Sequence, residues 1–226
     1  KFFLNICIII TLTFINSMSY SKSIKDFEIK ITGNKNLDKE FVESIIDLDK
    51  DIEENEVANY IIKELFVTGY FESVTAEISE NVLIINLKEY PAINNIKFDG
   101  YDRFKKEELE KVLKESDINL DIYRKNTNEK IIDYLTQHYK VYGYNLVKIS
   151  SNEEIIDNNK INIFININEG DITKIKRINI FGNKTFSVRK IKSILRSSET
   201  KFYKIVSGTS KYNENLVFLD EKRIEE

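Results

Sequence analysis

Apolar and polar residues alternate over three short stretches of the chain, and a glycine closes each stretch. The stretches cover residues 27–31, 95–98 and 177–180. A period of two predicts a strand with one buried face. The glycines that follow allow positive φ, so the chain can leave the strand sharply. They are Gly33, Gly100 and Gly182.

An amphipathic helix is predicted after each of these glycines, because apolar residues then recur at steps of three and four. Asp38 and Ser187 are suitable N-terminal caps for two of these helices. A second pattern repeats at residues 54–78 and 128–149, where a longer helix ends in Gly-Tyr. Gly69 and Gly143 are the predicted C-terminal caps of these longer helices.

Two further strands are predicted after each long helix, ending with residues 82–90 and 160–170. The repeating unit is therefore β-α-α-β-β, and the fold class is α+β. We expect a three-stranded mixed sheet covered by two antiparallel helices, in the order first, third, second strand, with the second strand at an edge. Predicted module boundaries are 24–91, 92–172 and 173–226, and the third module stops within its second helix. A strand pair is expected to follow it.

The first residues have a different character, with one lysine, an apolar run of about a dozen residues and then small polar residues, as in a secretory signal peptide. We predict a signal peptide at residues 1–19, with Ser17, Met18 and Ser19 as the cleavage site. An uncleaved anchor needs about 20 apolar residues, and this run is shorter and interrupted by Asn5. The single cysteine, Cys7, would leave with the signal peptide.

Composition and charge argue against several classes of function, namely nucleic-acid binding, metal binding and catalysis. The net charge is −3 and charges of both signs are interspersed, which argues against nucleic-acid binding. The one histidine, His138, has no second histidine or mature cysteine with which to bind a metal. Adjacent glutamates such as Glu153 and Glu154 do not face each other on a helix, and a complete phosphate-binding loop is missing. We predict no enzymatic activity, no cofactor and no catalytic or metal site.

Five segments carry a resemblance to a known family, and they are residues 31–35, 65–74, 87–93, 167–184 and 201–225. In this order and spacing they resemble the POTRA array of BamA-type outer-membrane assembly factors. The resemblance implies periplasmic modules ahead of a C-terminal transmembrane β-barrel, with signal-directed export. The second module departs from the Gly-Asn-Lys pattern, since it has Gly100-Tyr101-Asp102.

The resemblance implies that the chain receives unfolded outer-membrane clients and docks lipoprotein partners, while a missing barrel holds the intact protein in the outer membrane. A sheet edge can accept an extended peptide as an extra strand. The second strands, residues 71–78 and 144–151, are the candidate edges, although they could simply complete their sheets. The candidate client-binding residues are Phe71, Ser73, Val74, Ala76, Ile78, Tyr144, Leu146, Val147 and Ile149.

Two other functions stay open. A two-partner secretion or autotransporter-assembly transporter would use the same fold, but typically with two modules. A secreted modular enzyme would need a downstream cluster of His, Asp or Ser residues, because this sequence contains no such cluster.

Overall fold

The computed structural model describes residues 21–200 and 210–225. The signal peptide predicted at residues 1–19 and part of the 201–225 segment lie outside the described residues. The chain divides into two compact units, Lys1–Pro91 and Ala92–Glu226. The module boundaries 24–91, 92–172 and 173–226 are retained below as proposed modules.

The first unit contains a mixed three-stranded sheet. Strand β2 (Glu28–Thr32) pairs in parallel with β5 (Val82–Glu89), and β4 (Phe71–Ser79) pairs with β5 in antiparallel fashion, so the order is β2-β5-β4. This is the predicted order of first, third and second strand, and the predicted α+β class is confirmed. The short strands β1 (Ser21–Ser23) and β3 (Asp51–Glu53) form a separate antiparallel pair. The elements are β1 (Ser21–Ser23), β2 (Glu28–Thr32), α1 (Lys39–Ile45), β3 (Asp51–Glu53), α2 (Glu54–Val67), β4 (Phe71–Ser79) and β5 (Val82–Glu89).

The two helices of the first unit contribute to one core with the sheet. Helix α1 begins after Asp38, whose carboxylate accepts the N–H of Phe41 at 2.7 Å. Burying one Val, Leu or Ile side chain contributes about 1.5–3 kcal/mol. The fully buried residues from helices and sheet include Val42, Val57, Ile61, Leu65, Leu83 and Ile85.

The second unit repeats this architecture between residues 92 and 168. Its sheet contains β6 (Ala92–Asp99), β7 (Lys148–Ile156) and β8 (Lys160–Asn168). The order is β6-β8-β7, with β6 parallel and β7 antiparallel to β8. Its core is a second hydrophobic cluster that includes Leu109, Ile131, Leu135 and Ile163. The elements are β6 (Ala92–Asp99), α3 (Lys106–Lys114), α4 (Thr127–Val141), β7 (Lys148–Ile156) and β8 (Lys160–Asn168).

The proposed third module contains helices α5 (Val188–Ile194) and α6 (Glu214–Glu225). The strand predicted at residues 177–180 does not form a ladder with any described residue. In both complete sheets the first strand pairs with the last strand of its module, which follows the long helix. No strand that follows α6 lies among the described residues.

Side chains hold this third region together where a ladder is missing. The carboxylate of Asp220 accepts the N–H groups of Arg196 at 2.6 Å and Ser197 at 2.8 Å, which joins α6 to the end of α5. Glu199 accepts the N–H of Ile178 at 2.9 Å. Asp220 is 4% exposed, so these hydrogen bonds are shielded from water.

The glycines that follow the first strands lie against the last strands. Gly33 has φ of +82° and Gly100 has φ of +74°. A Cβ atom would overlap the carbonyl oxygen of Leu87 at Gly33, and that of Ile167 at Gly100. Both conformation and close approach therefore require glycine at these two positions. Gly182 has φ of +79°, and no atom of the described residues lies within 4 Å of a Cβ built there.

Candidate peptide-binding edges

Strand β4 is an edge strand, as predicted for the second strand of the first module. Phe71 and Val74 are buried, and Ala76 and Ile78 pack against the same core, so these side chains anchor β4 to its own sheet. Ser73 is exposed. The pairing of β4 with β5 shifts between Phe71 and Ser73, which is a bulge near the start of the strand.

Strand β7 is the corresponding edge of the second sheet, but it begins later than predicted. It covers Lys148–Ile156 and pairs with β8 without a shift in register. Ile149 is the only one of the four residues predicted there that lies in this strand, and it packs against the core. Tyr144, Leu146 and Val147 precede the strand, so their predicted placement on an edge strand is wrong.

A turn after α4 explains this displacement. The N–H of Tyr144 donates to the carbonyl oxygen of Tyr139 at 3.1 Å, and the N–H of Val147 donates to that of Tyr144 at 3.3 Å. The Tyr144 ring is buried and lies edge-on to Tyr139, with ring centroids 5.9 Å apart. Leu146 is 67% exposed. The local hydrogen bonds thus hold residues 144–147 in a turn that delays the strand.

The structure adds residues 152–156 to the second edge, which sequence reasoning missed. They are mostly polar, and Asn152, Glu153 and Glu154 carry no alternating apolar pattern. Ile155 is 79% exposed. The one indication in the sequence was the regular alternation in residues 160–168, because a hairpin partner of that length must extend equally far.

Charged residues accompany both edges. Glu72 on β4 forms an ion pair with Lys88 on β5 at 2.7 Å, and both side chains are largely exposed. On β7, Glu153 accepts a hydrogen bond from the side-chain amide of Asn128 at 2.9 Å. Charges on edge strands discourage unspecific pairing with other chains. Each sheet also has a second edge, formed by β2 in one and β6 in the other.

A glutamate at the end of each central strand fixes the turn that follows the first strand. The Glu89 carboxylate accepts the N–H groups of Lys35 and Asn36 at 2.8 Å each, and that of Leu37 at 3.2 Å. Glu89 is 6% exposed. A buried carboxylate needs such donors to replace its hydration.

Glu169 occupies the equivalent place in the second sheet. Its carboxylate accepts the N–H groups of Asp102 at 3.0 Å and Arg103 at 2.9 Å, and the Tyr139 hydroxyl donates to it at 2.9 Å. Burial of the ring, together with this hydrogen bond to Glu169, raises the pKa of the Tyr139 hydroxyl. Sequence reasoning missed both glutamates. Their matching positions after the last strand of each repeat were the available signal.

His138 lies in an aromatic cluster rather than in a polar site. Its ring centroid is 4.8 Å from that of Phe104 and 5.1 Å from that of Tyr142. The Arg103 guanidinium lies over the rings of Phe104 and Tyr142. Burial lowers the pKa of His138, although Glu108 and Glu115 partly oppose this shift.

Potential metal-ligating side chains are dispersed over residues 21–200 and 210–225. Within these ranges no group of three His, Cys, Asp or Glu side chains is placed to hold a metal ion. A cleft of about 880 Å³ lies in the proposed third module, lined by Ile178, Leu195, Val217 and Ile224 among others. It adjoins residues 177–180, whose predicted strand has no ladder partner. None of the described helices has the length and apolar character to span a membrane.

The POTRA family, described as a surface antigen variable number repeat, matches residues 91–170. This match makes residues 91–170 similar to a POTRA domain. The chain is 26% identical over 204 residues to the outer membrane protein assembly factor BamA of Neorickettsia risticii, covering 89% of this chain and 27% of that protein. It is 30% identical over 139 residues to BamA of Buchnera aphidicola, covering 60% of this chain and 22% of that protein.

A solved structure of Haemophilus influenzae BamA POTRA3-5 aligns with 93% of this chain and 88% of its own chain, at 15% identity and a TM-score of 0.42. The chain spans about a quarter of the length of the two BamA relatives. By these matches the chain is similar to the POTRA region of BamA-type outer membrane protein assembly factors. The names of these relatives describe assembly rather than catalysis.

Proposed function

We propose that this POTRA region lies in the periplasm and receives unfolded β-barrel clients as added strands on its sheet edges. One observation carries the proposal: β4 and β7 are nine-residue edge strands in two sheets of the same order. An edge strand presents backbone N–H and C=O groups on its outer side, and these bind an extended peptide with little regard to its sequence.

Strand length supports the choice of client. A transmembrane β-strand has about 9–11 residues, so nine-residue edges could pair along most of one such strand. Barrel clients share alternation rather than a common motif, and backbone pairing suits that lack of a shared sequence. Soluble clients with short strands would gain less from edges of this length.

We infer that β7 is the more receptive of the two edges. It pairs with β8 in unbroken register over all nine residues, whereas β4 has its bulge between Phe71 and Ser73. A bulge bends and twists a strand, which shortens the length available to an added strand. The exposed Ile155 gives β7 an apolar contact as well.

We propose that the intact protein docks assembly-complex lipoproteins and is held in the outer membrane by a C-terminal barrel. The support is the relationship to BamA assembly factors, of which this chain spans about a quarter.

Site-specific cross-linking tests the edge proposal. A photo-reactive amino acid is placed at Asn152 on β7, at Thr75 on β4 or at Lys111 on α3, all of which are exposed. Each variant of the full chain is mixed with an unfolded outer-membrane β-barrel protein diluted from urea. We expect the yield of cross-linked client to be greatest at position 152, lower at 75 and least at 111. Equal yields at all three positions would contradict recognition by edge strands.

Proline substitutions distinguish backbone pairing with a client strand from nonspecific binding. Neighbouring N–H groups of an edge strand point alternately towards the sheet and away from it. Of Asn152→Pro and Glu153→Pro, we expect one to weaken client binding while leaving thermal unfolding nearly unchanged, since it removes an outward donor. The other should destabilise the sheet. If neither variant weakens binding beyond its loss of folded protein, β7 does not bind clients by strand addition.

A further inference from the structure

The turn at residues 143–145, which follows α4, contacts the start of the proposed third module. The N–H of Thr173 donates to the carbonyl oxygen of Gly143 at 2.9 Å. The Asn145 side-chain amide donates to the carbonyl oxygen of Tyr212 at 2.9 Å and to that of Gly143 at 3.2 Å. These bonds join the turn to Thr173 and Tyr212 of the proposed third module, within the second compact unit.

The C-terminal end of α4 takes part in the same contact. The last carbonyl oxygens of a helix have no partner within the helix and must find donors elsewhere. The Asn213 side-chain amide donates to the carbonyl oxygen of Val141 at 2.9 Å. Asn213 also accepts the N–H of Leu216 at 3.1 Å, which caps the start of α6. One side chain therefore joins the end of α4 to the beginning of α6.

The segment that leads from β8 into the third module is fixed along its length. The Glu169 carboxylate is bound by backbone N–H groups and by the Tyr139 hydroxyl. Ile172 packs against the core of the second sheet. The carbonyl oxygen of Thr173 accepts the N–H of Tyr212 at 2.8 Å, and Lys174 forms a β-bridge with Lys211. A connection bound at each of these points has little freedom to act as a hinge.

Gly143 shows how closely the two surfaces approach. Its φ is +90°, and a Cβ atom there would lie 2.9 Å from the Cβ of Lys211 and 3.4 Å from a methyl carbon of Ile172. Such separations leave almost no room for a side chain. The glycine therefore serves both the helix end and the contact with the next segment.

We propose that residues 92–172 form one rigid body with residues 173–200 and 210–225, in which the turn at residues 143–145 contacts residues 211–213. The hydrogen bonds and the bound connection fix the angle between α4 and α6. This inference does not depend on client binding, because it rests on contacts within the second unit alone.

Distances between spin labels test the rigid joint. Labels are attached at Lys111→Cys on α3 and Lys222→Cys on α6, two exposed positions, in the full chain carrying Cys7→Ser so that no other cysteine reacts. We expect one narrow distance distribution by double electron–electron resonance. Asn145→Ala together with Asn213→Ala should broaden it, because both side-chain links are lost.

The matched control replaces two asparagines whose side-chain amides form hydrogen bonds within the second sheet. Asn94 donates to Asn162 and Asn166 donates to Asn152, so Asn94→Ala with Asn166→Ala should keep the distribution narrow. A broad distribution in the parent would overturn the proposal, as would a narrow one in the Asn145 and Asn213 double variant.

A second measurement uses the chain without substitutions at Asn145 or Asn213, so partial unfolding of a variant cannot affect the result. In the otherwise unchanged chain, ¹⁵N relaxation should give the same rotational correlation time for amides of α3 and α4 as for those of α5 and α6. Clearly shorter correlation times for α5 and α6 would show independent motion and reject the rigid body.

Discussion

At the scale of single residues, one glutamate in each sheet binds the backbone of the turn that follows the first strand. Glu89 is buried and accepts three backbone N–H groups of the turn at residues 35–37. Replacing it with glutamine removes the charge and turns one acceptor oxygen into an amide donor that faces N–H groups. We expect Glu89→Gln to lower the free energy of unfolding by about 1.5–3 kcal/mol, the range for hydrogen bonds to charged groups.

The control for this substitution is Glu77→Gln on the same sheet, where the glutamate is exposed. Urea unfolding of both variants beside the parent measures the effect. A loss in Glu89→Gln no greater than that in Glu77→Gln would mean that the carboxylate does not stabilise the turn.

A second prediction at this scale concerns the one histidine of the chain. Burial among Phe104 and Tyr142 lowers the pKa of His138 below its ordinary value of about 6.5. As pH falls below 6.5, the unfolded chain therefore takes up a proton before the folded protein does. The stabilising contribution of His138 is fully present above the unfolded pKa and is lost as pH falls through the folded pKa.

The charged groups around this ring are Glu108 and Glu115, which favour its protonation, and Arg103, which lies over the neighbouring rings. His138→Phe keeps an aromatic ring without the titration, so it should lose less stability than the parent between pH 7 and pH 5. NMR titration of the imidazole C–H signals gives the folded pKa directly. A value above 6.5 would contradict the burial argument.

At the scale of elements, apolar periodicity predicted the central strands, which bury one face against a core. Strands β5 and β8 lie between two neighbours and alternate clearly, and the predicted order around them is confirmed. Residues 144–147 were misplaced because Tyr144 has an apolar contact of its own with Tyr139. A buried position is occupied by an apolar or aromatic residue whether it lies in a turn or in a strand, so the sequence pattern does not distinguish the two.

Residues 177–180 illustrate the other limit of periodicity. They alternate as regularly as the strands of the complete sheets, yet no described residue forms a ladder with them. A strand needs hydrogen-bonding partners for its backbone as well as a buried face. In the two complete modules those partners come from the last strand, far along the chain.

The candidate site was the least predictable part for a related reason. Residues 152–154 on β7 are polar because an edge strand faces water, so no apolar pattern reveals them. The backbone N–H groups that Glu89 and Glu169 bind lie more than fifty positions away along the chain. Only the comparison of one repeat with the next could have indicated these two glutamates.

At the scale of the whole molecule, two hydrophobic clusters carry the fold and share no residue. One contains Ile61 and the other contains Leu135, both fully buried on the long helix of their sheet. Truncating a buried Ile or Leu to Ala costs about 2–5 kcal/mol. We expect Ile61→Ala to destabilise residues 54–89 without a comparable effect on residues 127–168, because each cluster is built from its own helices and strands.

Hydrogen–deuterium exchange with mass spectrometry can follow both regions in one sample, since exchange reports local unfolding. Ile61→Ala should speed exchange in β4 and β5, and Leu135→Ala should speed it in β7 and β8. Each variant is the control for the other, because the same kind of side chain is removed from the same kind of helix. If either substitution accelerates exchange equally in both sheets, the clusters unfold as one cooperative core, and the repeats are not independent folding units.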